Sequence, residues 1–292
     1  MITLKQLQVF TSIARHGNLG RAAEEICLSR GAVSQSLGEL ERRLGGPLFD
    51  RVHPRLQLND QGRRLQPMAE DLLSRVADIE QQFGGSRESE SGLAGSLRIG
   101  ASQTIGNYVL PALLARQPWL QAGVTITNTQ TLCDMVARFE LDMALIEGEN
   151  RRPELETQAW LTDEMCIVAA PSHYLAAKDH LTPASLADCS WVLREPRSGS
   201  REQFDHQLAP YLNGMGRMLE LSTPEAVMQA VEQGLGLALI SRLAAADRLA
   251  QGRLTVLDVG ITLSRTLKLV WHRKKYHSSL LRRFVDICRE EG

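Results

Sequence analysis

Residues 18–44 read NLGRAAEEICLSRGAVSQSLGELERRL, and the fold of the N-terminal part of the chain turns on this stretch. Leu19, Ala22, Ala23 and Ile26 fall on one face of a short helix that Asn18 can cap. A turn at Cys27-Leu28 follows. Ser29 is a good N-cap for a further helix whose inward positions are Val33, Leu37, Leu40 and Leu44. The small side chains of Ala22 and Ala23 let the two helices approach closely at a steep angle. Two short helices joined by a tight turn, the second with a polar outer face, form the helix-turn-helix pattern. That outer face reads Arg30, Gly31, Ser34, Gln35, Gly38 and Arg42. Arg and Gln can pair with purine edges in a major groove, and Ser can reach a base or a phosphate. Gly31 leaves room for close approach of the backbone.

Upstream, Leu4, Leu7, Phe10, Ile13 and Ala14 repeat at helical spacing, and Gly17 suits the end of that helix. Downstream, Gly45-Gly46-Pro47 closes the third helix and Leu48-Phe49 returns to the core. Residues 51–58 (RVHPRLQL) read as a short hairpin with a basic tip, a wing suited to a phosphate backbone or minor groove. Asn59 or Asp60 can cap a helix over 60–83. Its apolar positions Leu65, Met68, Leu72, Val76, Ile79 and Phe83 make a narrow stripe that suits pairing with another helix, although packing against its own domain is the alternative. Pro67 removes one backbone donor there. Residues 84–92 are small, polar and charged, and read as a linker.

From residue 95 short strands alternate with helices. Strands are predicted at Ser96–Ala101, Val124–Thr127, Met143–Ile146, Met165–Ala169, Trp191–Leu193, Leu237–Ile240, Leu254–Val256 and Leu267–Trp271. Helices are predicted near Thr104, at Leu132–Phe139, and near Glu202–Tyr211, Pro224–Gln233, Leu243–Gln251 and Ser279–Arg289. The alternation predicts mostly parallel sheets with helices on both faces. Such folds bind ligands at the C-terminal ends of their strands, where helix N-termini present free N–H groups.

Composition fits this division. The chain has 292 residues, 43% apolar and 23% charged, an ordinary globular mixture. Its net charge of −1 conceals an asymmetry. Residues 1–64 carry ten Lys/Arg against six Asp/Glu, which leaves +4 there and −5 on the rest. A basic head suits a polyanion. No apolar run is long enough for a membrane helix, and the start MITLKQLQVF has no signal-peptide pattern, so a cytoplasmic protein is expected. Cys27, Cys133, Cys166, Cys189 and Cys288 are dispersed, and they are expected to be plain buried thiols with neither disulfide nor metal. The motifs of the common hydrolases, phosphate-loop enzymes and zinc proteases are missing. Gly234-x-Gly236 reads as a turn near a strand, and His272 and His277 as surface or capping groups. No catalytic residue, metal site or cofactor is expected.

With these residues placed, the chain resembles the LysR-type transcriptional regulators over essentially its whole length. The carrying residues are the leucine/phenylalanine first helix, Gly17-Asn18-Leu19-x-Arg21-Ala22-Ala23, Leu28-Ser29-x-x-Ala32-Val33-Ser34-Gln35-Ser36-Leu37-x-x-Leu40-Glu41, Gly45-x-Pro47-Leu48-Phe49-x-Arg51 and Leu58-Asn59-x-x-Gly62. The resemblance implies an all-α winged helix-turn-helix at 1–59, a dimerising linker helix at 60–84, a hinge at 85–94 and an α/β effector-binding domain at 95–292. That domain would have two lobes like those of periplasmic binding proteins, one of about 95–162 and 267–292, the other of about 163–266. Crossings between lobes are expected near Leu161–Glu164 and Arg265–Leu267. It also implies double-stranded DNA, a small-molecule effector and copies of the same chain (dimer or tetramer) as partners, with RNA polymerase a further one and no membrane. Candidate DNA contacts are Asn18, Arg21, Ser29, Arg30, Gly31, Ser34, Gln35, Arg51, His53 and Arg55. The family often has Gln-Pro where this chain has Arg30-Gly31, so a guanine or phosphate contact, and a different half-site, is expected.

Four segments match the effector-lining positions of such sensors: Ser102-Gln103-Thr104, Thr129-Gln130, the run 194–201 (REPRSGSR) with Ser198, Gly199, Ser200 and Arg201, and Thr223 ahead of a helix. Hydroxyls, backbone amides and Arg at helix starts favour an anion, against the plainer role of capping those helices. The 194–201 run resembles a subset of the family linked to sulfur or carbon metabolism. A sequence-specific regulator controlled by an anionic effector is therefore expected. A solute-binding module whose N-terminal helices only mediate oligomerisation is the alternative.

Overall fold

The computed structural model describes residues 1–52, 55–83, 96–212 and 214–291, with only the backbone element given for 51, 52, 55 and 81–83. The chain divides into two compact units, residues 1–95 with 276–280 and residues 96–275 with 281–292.

In the first unit α1 (Leu4–His16), α2 (Leu19–Glu25) and α3 (Arg30–Leu44) are followed by β1 (Phe49–Val52), β2 (Arg55–Leu58) and α4 (Asp60–Phe83). The caps follow local chemistry. Thr3 and Gln6 form a reciprocal capping box on α1, Asn18 caps α2, Ser29 accepts from Ala32 N at 3.2 Å, and Asn59 Oδ1 accepts from Gly62 N at 2.9 Å. Gly17, left-handed, ends α1. Most of the predicted core is buried, Phe10, Ile13, Ala22, Val33, Leu40 and Leu48 fully or almost fully, with Phe10 and Phe49 ring centroids 5.5 Å apart, whereas Leu4 and Leu44, at the two helix ends, are exposed. β1 and β2 pair antiparallel, and Leu56 N donates to Gly17 O at 2.9 Å, which ties the hairpin to the end of α1. The tip residues His53 and Pro54 lie outside the described residues.

The second unit is a mixed rather than mostly parallel assembly. β3 (Ser96–Ser102) pairs parallel with β4 (Gln121–Thr127) and β5 (Met143–Ile146), and β7 (Trp191–Arg194) pairs parallel with β8 (Met218–Leu221). β6 (Leu155–Ala169) and β11 (Leu263–His272) instead pair antiparallel along most of their length. The order is β10-β6-β11-β5-β3-β4, with β9 (Ala238–Ser241) and β10 (Thr255–Val256) both on β6. Sequence reading finds only the apolar halves of these two strands. Residues 155–164 of β6 alternate with polar residues, and Arg265 interrupts the apolar signal of β11. One half of β6 and β11 joins β5, β3 and β4. The other half joins β9 and β10. Strands that run through two lobes need no helical crossover, so their pairing is antiparallel.

The helices are α5 (Leu110–Ala115), α6 (Thr129–Ala137), α7 (Gly199–Gln203), α8 (Pro224–Glu232), α9 (Arg242–Ala250) and α10 (Ser279–Glu290). The helix predicted near Glu202–Tyr211 is broken: α7 widens into a π turn at Phe204–Leu208 and a 3-10 turn at Ala209–Tyr211. Ile105–Val109 is likewise a π turn ahead of α5. Pro210 and Pro111 lack the N–H that would bond to the carbonyl four residues back, which falls inside each π turn. Packed cores on either side include Trp191 against Phe204, centroids 4.9 Å apart, and Leu132, Val136 and Ile146 around α6.

Cys27 is exposed, contrary to expectation, because it occupies the α2–α3 turn with φ 53°. The other four cysteines are buried, and burial pushes Cys133, Cys166 and Cys288 up to about 12. His272 is buried rather than superficial, stacked near Phe139, and its Nδ1 accepts from Lys274 N.

Gly62 shows why α4 starts where it does. A Cβ at this position would lie 2.2 Å from Leu48 O and 2.7 Å from a Leu58 methyl. Gly62→Ala is expected to cost about 1–3 kcal/mol through that clash. Calorimetric unfolding of the full chain should show one transition, that of the first unit, shift down, and unchanged transitions would contradict the packing.

Candidate functional site

The outer face of α3 is open. Arg30, Gly31, Ser34, Gln35 and Arg42 are all exposed, while Val33, Leu37 and Leu40 on the opposite side are buried. Among the described residues Arg30 has no hydrogen-bond or ion-pair partner, so its guanidinium is free to find an external acceptor. Gln35 donates to Glu39 at 3.2 Å on its own helix. A Cβ on Gly31 would meet only Ser29 Oγ at 3.9 Å, so the surface stays flat there. Ser29 and Asn18 spend their side chains on capping, and Arg21 is exposed beside them on α2. The side chains of Arg51 and Arg55, and all of His53, lie outside the described residues.

The stripe on α4 divides between two faces. Leu65 and Leu73 pack on the head's core around Ala69, whereas Met68, Leu72 and Ile79 are exposed at 65%, 49% and 57%. The helix thus serves its own domain on one side and leaves an apolar row open on the other.

In the second unit the predicted effector residues gather where β3, β5, α6 and α7 meet. Ser102 ends β3 and Thr104 follows it, Thr129 opens α6, and Ser198, Gly199 and Ser200 open α7. Ser102, Thr104, Thr129, Ser198 and Ser200 are all buried. Between them lies a group that sequence reading did not select. Arg265 Nη1 donates to Glu147 Oε2 at 2.6 Å and to Ser200 Oγ at 3.0 Å. Its Nη2 donates to Thr104 Oγ1 at 3.2 Å and its Nε to Asp163 Oδ2 at 2.8 Å. Ser241 Oγ donates to Asp163 Oδ1 at 2.7 Å, and Thr104 N donates to Glu147 Oε1 at 2.7 Å. The Arg265, Glu147 and Asp163 side chains are at most 2% exposed. Burial alone would raise the Glu147 pKa, but Arg265, the neighbouring Ser102 hydroxyl and the Thr104 hydrogen bonds outweigh it and hold the carboxyl below its usual range. Ser102 Oγ lies beside that carboxylate without meeting hydrogen-bond geometry.

Arg265 and Asp163 are register partners in β11 and β6. They lie between the part of these strands that pairs with β5 and the part that pairs with β9, so this network sits where the two halves of the sheet meet. More contacts cross the same gap. Gly199 packs so closely on Gly148 that a Cβ on it would lie 2.6 Å from Gly148 N. Glu202 accepts from Glu149 N and Arg151, Arg197 pairs with Asp134, and Gln130 N donates to Arg197 O. Tyr108 donates to Glu225. A cavity of about 10 Å³, room for about one water, lies on one side of this gap, between Arg194, Ser200, Phe204 and Val227.

Three predicted residues stand apart from the cluster. Arg201 turns to Asp205 and to Arg194 O, Thr223 caps α8 by accepting from Ala226 N, and Gln103 accepts from Asn107. The signal for Arg265 was present in the sequence: it falls in phase with Leu263, Leu267 and Leu269, a charge on the buried side of a strand.

Comparison with known proteins bears on both units. Residues 4–63 match the family model described as bacterial regulatory helix-turn-helix protein, lysR family, and residues 90–292 match that of the LysR substrate binding domain. The chain is 40% identical to the uncharacterized HTH-type transcriptional regulator YeiE of Escherichia coli K12, over 98% of this chain and 97% of that one. It is 32% identical to the RuBisCO operon transcriptional regulator of Allochromatium vinosum over 100% of this chain and 97% of the other. A full-length OxyR point variant from Pseudomonas aeruginosa has the same fold, with TM-score 0.78 at 23% identity, covering 99% of this chain and 94% of that one. The regulatory domain of CcmR from Synechocystis, in complex with 2-PG, aligns with TM-score 0.63 at 24% identity over 68% of this chain and 97% of that one.

Arg265 can be tested through stability. Arg265→Met keeps the apolar stem but leaves two buried carboxylates without their counter-ion, which should cost about 3–5 kcal/mol. All four tryptophans (Trp119, Trp160, Trp191 and Trp271) lie in the second unit, so urea unfolding followed by tryptophan fluorescence reads that unit alone. A loss below about 1 kcal/mol would contradict the role given to Arg265.

Proposed function

Because this chain belongs to the LysR family of transcriptional regulators, and is a DNA-binding regulator with an effector-binding domain rather than an enzyme, we propose that its effector is a small anion held at the Arg265 junction. The observation that carries the proposal is a group of four buried hydroxyls from three separate segments, with Thr104 and Ser200 bonded to one buried guanidinium and Ser102 and Thr129 beside the Glu147-Gly148 turn. Hydroxyls and backbone N–H groups at helix starts are suited to an oxyanion. The complexes of two fold neighbours, 2-PG on CcmR and shikimate on QuiR, support a small-molecule ligand in this kind of domain.

In this reading α3 enters the major groove, with Arg30, Ser34 and Gln35 toward base edges and Asn18, Arg21, Arg51, His53 and Arg55 near the backbone. The exposed Met68, Leu72 and Ile79 pair with the same face of a second copy, giving a dimer or a dimer of dimers. The protein works in the cytoplasm, where it meets DNA and RNA polymerase. Effector binding favours one arrangement of the lobes, and that preference changes the placement of the DNA-binding heads.

Gel shifts on DNA selected by the protein from random duplexes test the first half. Affinity should fall with salt at a log–log slope of about −0.9 per phosphate neutralised. Arg30→Ala should cost about 1–3 kcal/mol and relax preference at one base position, and a uniform loss over all sequences would assign Arg30 to phosphate instead. Ser102→Ala tests the second half. It should leave DNA affinity unchanged and weaken the response in a thermal-shift screen of sulfite, sulfate, phosphate and carboxylates, whereas equal loss of both would contradict the site.

A further inference from the structure

The junction is short of free donors and carries an excess of negative charge. Every nitrogen of Arg265 already has an acceptor among Asp163, Glu147, Ser200 and Thr104. Arg194, the other buried arginine there, is spent on Glu195 through Nε at 2.9 Å and Nη2 at 3.0 Å. The carboxylates of Glu147, Asp163 and Glu195 thus face two guanidinium groups. An incoming anion gains no free cation.

Two groups at the junction are free. Ser102 Oγ and Thr129 Oγ1 have no hydrogen-bond partner, although Ser102 is 2% and Thr129 1% exposed. An unpaired buried hydroxyl is costly, so a pair of them marks a place where a partner belongs. They flank the turn that follows β5. Ser102 is beside the Glu147 carboxylate, and Thr129 Cγ2 is 3.4 Å from where a Cβ on Gly148 would stand. Thr129 also opens the nine-residue helix α6. An oxyanion seated between them would accept from both hydroxyls. Its next oxygen meets Glu147, a buried carboxylate that accepts hydrogen bonds and has none to give. Two deprotonated oxygens repel at that distance, whereas a proton between them makes a short, charge-assisted bond.

We propose that Glu147 makes this site selective for oxyanions that bring a proton of their own, hydrogen phosphate being the simplest, over fully deprotonated oxyanions of the same shape. The proposal rests on the reading of the junction as the effector site. Glu147 is held ionised by Arg265, so the shared proton has to come with the ligand. The ligand enters as the lobes part at the Gly148–Gly199 contact, and Ser102 and Thr129 hold its remaining oxygens.

Inorganic phosphate and sulfate separate the outcomes, since both are tetrahedral and of similar size but only phosphate keeps a proton near neutral pH. Isothermal titration of the full chain at pH 7 is expected to give at least about tenfold tighter binding of phosphate than of sulfate. Glu147→Gln offers an amide donor in place of the carboxylate, and it should bring the two anions to within about threefold, chiefly by improving sulfate. Should that variant fail to fold, as judged by its tryptophan fluorescence, the wild-type ratio alone decides, with Glu147→Asp expected to keep the preference for phosphate. Equal or tighter binding of sulfate by the wild type, or an unchanged ratio in a folded Glu147→Gln, overturns the proposal and leaves the anion site standing. Binding of neither anion to the wild type or Glu147→Gln overturns the anion site itself and the selectivity with it.

Discussion

Arg265 sits where two long strands pass from one lobe to the other, and it is paired in register with Asp163 and bonded to Glu147. Taking three charges out of water is expensive, and the mutual attraction of buried ions roughly repays that cost rather than exceeding it. What such a network supplies is geometry. Thr104 after β3, Glu147 after β5, Ser200 at the start of α7 and Ser241 at the end of β9 all reach this centre, directly or through Asp163, so their relative positions are set by one guanidinium. A ligand that takes over any of these bonds changes what holds the lobes in place. Small shifts at such a packed junction resolve into discrete arrangements, because close-packed interfaces do not deform continuously.

The head works by a different logic. Its core is apolar and local in sequence, stabilised by caps at Thr3, Asn18, Ser29 and Asn59, and Lys5, Arg15, Arg21, Arg30, Arg42, Arg43, Arg63 and Arg64, which contribute to its basic surplus, are all exposed. Capping by Ser29 fixes where α3 begins, and so fixes which residues of its first turns face outward. The polar edge from Arg30 to Gln35 is therefore a consequence of the burial of Val33, Leu37 and Leu40 on the other side. Charge on such an edge acts through screening-sensitive attraction to a polyanion, whereas the charge at the Arg265 junction is shielded from salt by burial. One chain thus keeps its two kinds of electrostatics apart, exposed in the head and buried in the sensor.

Much of this was legible in the sequence because the deciding residues are short-range. Gly17, Asn18 and Ser29 announce helix ends, and the apolar phases of α1 and α3 name the core. The start of α4 at Asp60 follows from a capping Asn59. The sensor was legible as strands and helices but less so as a site. Ser102, Thr104, Thr129 and Ser200 were chosen as hydroxyls at helix starts, and they do converge, whereas Arg201 and Thr223 share that description and serve local hydrogen bonds. Helix-start chemistry cannot tell these cases apart, since direction is set by packing. Glu147, Asp163 and Arg265 escaped because 16 or more residues separate each from the next, and only the pairing of β11 with β6 and β5 brings them together. The mixed sheet escaped for a related reason. The polar half of β6 carries no apolar signal until its partner strand is known.

If a ligand acts on the lobes at the Arg265 junction, its effect has to appear along the backbone there. Hydrogen–deuterium exchange of the full chain, with and without saturating inorganic phosphate, tests this most directly because it reports position in the sequence. Altered exchange within the second unit is expected to be greatest in three segments, residues 102–106, 147–151 and 197–203, while residues 175–181 on a separate surface hollow stay unchanged. Phosphate-dependent exchange that leaves all three segments untouched and appears elsewhere would contradict it.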